Sequence, residues 1–188
     1  MTKTTGPEHV TREDELLVIR CQLGERSAFD ELTERWHPPL WKYVRRLAGD
    51  DDAAKDVAQD VWLRVLRGIG RLRDGSRLRP WLFGIARRAL MDRLRHHYAA
   101  PISSDIDVAE LAADQTMDSL EEEIGAMEHE LVRLPTTERE VLTLFYLREL
   151  SLAEVAEVLD VPVGTVKSRL FRARRLLRRG LDSEGTRA

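Results

Sequence analysis

The sequence is short of cysteine, of strand signals and of long apolar runs, and each shortage removes a class of protein. Cys21 is the only cysteine among 188 residues, so no internal disulfide can form and no cysteine cluster has zinc spacing. A reducing cytoplasm suits such a chain. No apolar stretch approaches the roughly eighteen residues of a membrane span, and the start MTKTTGPEHV lacks the apolar centre of a signal peptide. No membrane insertion is expected. Active-site chemistry is also missing, because no set of acid, base, nucleophile or metal ligands converges. His96 and His97 are neighbours, so on a helix they point about 100° apart rather than at one metal. Neither an enzyme nor a cofactor is expected.

Charge is plentiful and unevenly placed. The tally of 30 Lys+Arg against 33 Asp+Glu leaves a net charge of −3, which by itself says nothing for or against a polyanionic partner. Its distribution says more. Arg71, Arg73, Arg77, Arg79, Arg87, Arg88, Arg93 and Arg95 form a basic block opposed only by Asp74 and Asp92. Residues 103–130 carry acids and no Lys or Arg, and residues 165–180 carry Lys167 and six arginines with no acid. Two basic elements separated by an acidic one predict two contacts with nucleic acid.

Helical spacing of apolar residues recurs almost throughout, which predicts an all-α fold with helices near 12–23, 26–36, 39–48, 51–68, 80–97, 118–133, 137–149, 151–159 and 162–179. The pattern breaks in AAPISSDIDVAELAADQTMD, a solvated acidic composition that reads as a linker over 99–117. Two helical domains, 12–98 and 118–180, are therefore expected.

In the second of these, Ser151 and Glu154 have the spacing of a capping box. Leu152, Val155, Ala156 and Leu159 then form an apolar stripe, which Asp160-Val161-Pro162-Val163-Gly164 interrupts as a turn. Pro162 is placed in the first turn of the next helix, where its missing N–H costs nothing. That helix sets Val166, Leu170, Ala173 and Leu177 on one side and basic residues elsewhere. A short capped helix, a turn and a second helix with polar early turns is a helix-turn-helix, whose second helix enters the DNA major groove. Thr165, Lys167, Ser168 and Arg169 are expected near base edges and phosphates, with Arg172, Arg175 and Arg178 mainly on the backbone.

In the first domain, Asp56, Gln59, Asp60 and Leu63 share one mostly polar face of the 51–68 helix. That face offers carboxylates and an amide to a basic partner, or simply to solvent. Further on, PWLFGIARRALMDRLRHH sets Leu82, Ile85, Ala86, Ala89 and Leu90 towards a core, with Trp81, Arg87, Arg88 and Arg95 on the other side. An aromatic beside arginines suits stacking of unpaired bases; the alternative is that Trp81 packs in the core.

The stretch LPTTEREVLTLFYLRELSLAEVAEVLDVPVGTVKSRLFRARRLL, residues 134–177, closely resembles the promoter-reading region 4 of the sigma-70 family, and DDAAKDVAQDVWLRVLRGI with PWLFGIARRALMDRLRHH resembles region 2. With no third domain between them, the likeness is to the extracytoplasmic-function (ECF) subgroup. The resemblance implies an RNA polymerase sigma factor with a region 2 bundle and a region 4 helix-turn-helix. Thr165, Lys167, Ser168, Arg169, Arg172 and Arg175 would meet the −35 element. Arg77, in the Gly70–Arg79 loop, and Trp81, Arg87, Arg88 and Arg95 would meet the melted −10 element and a flipped base. Asp56, Gln59, Asp60 and Leu63 would dock on the β′ clamp of core polymerase, whose β subunit is also a partner. The acidic linker would occupy the product channel or serve as a tether, and an anti-sigma protein wrapping between the domains is implied as a regulator. The sequence departs from the family pattern at Arg88, where many relatives carry Asn, and in the arginine-rich loop GRLRDGSRLR. A free-standing helix-turn-helix repressor or activator is the rival reading.

Overall fold

The computed structural model describes residues 7–98 and 130–184. Every regular element among them is helical. The helices are α1 (Pro7–Gln22), α2 (Arg26–Ala48), α3 (Asp51–Gly68), α4 (Leu78–Tyr98), α5 (Thr136–Leu142), a π-helical turn (Thr143–Leu147), α6 (Leu152–Leu159) and α7 (Val163–Glu184). None is long and apolar enough to cross a membrane.

The first four helices make one bundle. Gly49, at φ 88, ends α2 in the left-handed conformation that costs glycine least. Asp50 then caps α3, its side chain accepting from the Ala53 amide at 2.7 Å, and Asp51 and Asp52 complement the dipole of the first turn. Val57, Val61 and Val65 of α3 meet Leu40, Tyr43 and Val44 of α2 and Leu82, Phe83 and Ala86 of α4 in the interior. The expected break between 36 and 39 does not occur. Pro38 and Pro39 lie inside a continuous α2 whose buried stripe of Leu32, Trp36, Leu40, Tyr43, Val44 and Leu47 runs past both. Pro38 is exposed, so the backbone bonds that a proline removes are lost where water replaces them.

The segment between α3 and α4, expected as the loop Gly70–Arg79, contains two 3₁₀ turns, Ile69–Arg71 and Gly75–Arg77. Gln22 of α1 holds it by donating to the carbonyls of Ile69 at 3.0 Å and Leu72 at 2.8 Å. A Cβ on Gly75 would lie 2.9 Å from the Cα of Glu15, so only glycine permits this approach.

In the second half, Leu131, Val141, Leu144, Val155, Leu159, Val166 and Leu170 continue the same buried apolar cluster. The helix expected over 137–149 passes into a π-helical turn at Thr143 and ends at Leu147, and Glu149 beyond it adopts φ 53. The helix expected over 118–133 lies mostly outside the described residues, as does the acidic linker. The two halves pack together, α4 against α6 and α2 against α5.

Candidate nucleic-acid and polymerase interfaces

The helix-turn-helix is built as its spacing predicts. The Ser151 hydroxyl accepts from the Glu154 amide at 3.2 Å, and the Ser151 amide donates to the Glu154 carboxylate at 2.8 Å. Two otherwise orphaned amides are thereby satisfied. The turn depends on Asp160, which adopts φ 54 and ψ 50 after α6. Aspartate tolerates this conformation better than most side chains. Pro162 sits one position earlier than expected, outside α7, with its carbonyl accepting from the amides of Thr165 and Val166.

Val166, Leu170 and Ala173 are buried, and Leu177 is half-buried. Lys167, Ser168, Arg172 and Arg175 are exposed, while Thr165 and Arg169 are half-buried. Thr165, Ser168, Arg169 and Arg172 line a cleft of about 350 Å³ with Pro135, Thr137 and Glu138. Glu138 is fully buried, and its Oε1 accepts from Arg172 Nε at 2.6 Å. Arg172 is thus fixed in orientation along the cleft wall. Spacing within α7 could not reveal this pair, because Glu138 lies 34 residues upstream. Phe171, 65% exposed between Lys167 and Arg175, is a further apolar group on the outer face that sequence reasoning passed over.

On α3, Asp56, Gln59 and Leu63 are exposed and Asp60 is half-buried, so all four open to solvent on one side of the bundle. Asp56 pairs with Arg93 at 2.9 Å and Asp60 with Arg64 at 2.8 Å. Arg64 also reaches Asp92 at 2.8 Å, and Arg95 pairs with the same carboxylate at 2.5 Å. The bond from Arg64, reinforced by Arg95, holds Asp92 below the ordinary aspartate range.

The α4 residues do not share one environment. Arg88 is exposed and Arg87 half-buried. Trp81 packs half-buried against the core and over Gly68, where an added Cβ would lie 3.1 Å from the ring. Arg87 Nε lies 3.2 Å from Glu140 Oε1, and Arg77 pairs with Glu157 at 2.6 Å. The Tyr43 hydroxyl donates to the same Glu140 oxygen at 2.7 Å. Burial raises the Glu140 carboxyl pKa, opposed by Arg87 and by the Tyr43 bond, and burial together with Glu140 raises Tyr43 well above the usual phenol value. Arg79 donates to the Arg148 carbonyl at 2.6 Å. Burial, with Arg46 nearby, lowers the pKa of both Arg139 and Arg148.

A model of sigma-70 region 2 matches residues 32–99, and one of sigma-70 region 4 matches residues 124–177. The chain is 36% identical over 174 residues to the ECF RNA polymerase sigma factor SigM of Mycobacterium tuberculosis, covering 93% of this chain and 87% of that protein. It is 32% identical over 182 residues to the RNA polymerase sigma-H factor of Pseudomonas aeruginosa, covering 90% and 94%. Among solved structures, CnrH in complex with the cytosolic domain of CnrY aligns at a TM-score of 0.68 with 25% identity, over 90% of this chain and 97% of that one. The sigma factor RpoE of Bartonella quintana, in complex with the anti-sigma factor NepR, aligns at 0.64 with 25% identity, over 82% and 96%. Two helical domains carrying a capped helix-turn-helix, with these matches over both halves, define a promoter-recognition subunit of RNA polymerase: the chain belongs to the sigma-70 family. Within it, the likeness is to the ECF subgroup, and the chain serves promoter-specific transcription initiation. Nothing in the matches favours a free-standing repressor.

Proposed function

We propose that α7 reads the −35 element, that α4 and the turn before it read the −10 element, and that α3 docks on core polymerase. The observation that carries this is the outer face of α7, where Lys167, Ser168 and Arg175 are exposed beside the cleft of Thr165, Arg169 and Arg172. A helix so placed after a tight turn enters a major groove by its first turns. Lys167, Ser168 and Arg169 meet base edges, and Arg172 and Arg175 neutralise phosphates. Arg77, Arg87, Arg88 and Arg95 neutralise the melted −10 strand, while Trp81 supports them from the core side. Asp56, Gln59, Asp60 and Leu63 present acid, amide and one apolar contact to the β′ clamp.

On this reading residues 12–98 form the docking and −10 domain, 99–117 the acidic linker and 118–180 the −35 domain. The subunit works in the cytoplasm without catalysing a reaction, and core polymerase supplies the chemistry. The likeness to CnrH and to RpoE, both solved with a bound protein, supports an anti-sigma protein as a further partner. Run-off transcription from a promoter library with core polymerase tests the reading. Transcripts that need the protein and share −35 and −10 motifs support it; failure of core to bind or initiate with the protein sinks it.

A further inference from the structure

We propose that the free chain closes on itself through a buried polar latch, Tyr43 and Arg87 of the first half gripping Glu140 of the second, and that closure withholds Arg77 and Arg87 from DNA. The withholding rests on the −10 reading above; the latch does not. Tyr43 is fully buried and Glu140 is 3% exposed, yet they lie 97 residues apart. A carboxylate is buried only where partners replace its water. The hydrogen-bonding and ion-pairing partners of Glu140 both come from across the seam: the Tyr43 hydroxyl at 2.7 Å from α2 and Arg87 at 3.2 Å from α4. Arg169 of α7 adds only a more distant charge.

On opening, water takes over every group of the latch, and a buried ion pair gains little over its solvated members. The seam also carries a repulsion, because Arg46 of α2 disfavours the charged forms of Arg139 and Arg148 on the other half. At the rim, Glu157 takes Arg77 at 2.6 Å, and the Arg148 carbonyl takes Arg79. Closure therefore occupies Arg77 and Arg87, two of the cations that the melted strand would need, and leaves Arg88 exposed.

The test compares the full-length chain with Glu140→Gln, Tyr43→Phe and Glu157→Gln, none of which alters a proposed DNA contact. Small-angle X-ray scattering reads closure, far-UV circular dichroism confirms folding, and fluorescence anisotropy reads binding of a −10 single-stranded oligonucleotide at fixed salt. The wild type is expected compact. Glu140→Gln and Tyr43→Phe are expected to have a larger radius of gyration and several-fold tighter strand binding, with Glu157→Gln intermediate. An already extended wild type, or folded variants with unchanged size, overturns the latch; extended variants that bind the strand no better overturn the withholding. Run-off transcription by Arg88→Ala reports the −10 reading separately, since Arg88 is exposed in the closed chain and lost initiation would uphold that reading whatever becomes of the latch.

Discussion

Lys167 and Arg172 stand five residues apart on α7 and differ in what they leave behind when removed. Arg172 covers the fully buried Glu138, whose second oxygen has no hydrogen-bond partner. Arg172→Ala strands that carboxylate and should lower stability by about 1–2 kcal/mol, the usual cost of a charged bond discounted for the exposure of Arg172. Urea titration measures it. Lys167→Ala should leave the urea midpoint unchanged and reduce the salt slope of −35 DNA binding by about one. Equal losses of stability in the two variants would refute the distinction. Asp92 supplies a pH effect of definite sign. Its folded pKa is lowered, so its contribution is present above the ordinary aspartate value and is lost as pH falls through the folded one. The fall in thermal midpoint from roughly pH 5 to 3 should therefore be shallower in Asp92→Asn than in the wild type.

The elements differ in how plainly the sequence announces them. The capping box, the apolar stripe of α6 and the turn are local, so spacing alone exposes the helix-turn-helix. Replacing Ser151 by alanine should cost about 1 kcal/mol in urea unfolding. The proline pair in α2 misleads, because local rules end a helix there while the buried stripe from Leu32 to Leu47 carries it through. Propensity lost to packing. The segment before α4 also looks loose from its glycines and arginines, yet Gln22 and the contact of Gly75 with Glu15 fix it to α1. Gly75→Ala should force that turn off α1, destabilising the bundle by about 1–3 kcal/mol and slowing promoter opening more than −35 binding. Gel-shift and permanganate footprinting separate those steps.

At the scale of the whole molecule, the halves and their candidate contact faces were legible, but the seam was not. Tyr43, Arg87 and Glu140 have no spacing relation, and a tyrosine at a core position of α2 gives no sign that its hydroxyl meets a carboxylate from another half. The same distance hides the engagement of Arg77 by Glu157.

The sequence distance between Tyr43 and Glu140 also has a meaning in time. A ribosome adding about 5–20 residues per second needs several seconds to reach Glu140 after making Tyr43. During that interval the first half can fold with its arginines uncovered and its docking helix complete. A newborn chain would then be most available to core polymerase before Glu140 is made, and would first shut once the second half has folded against the first.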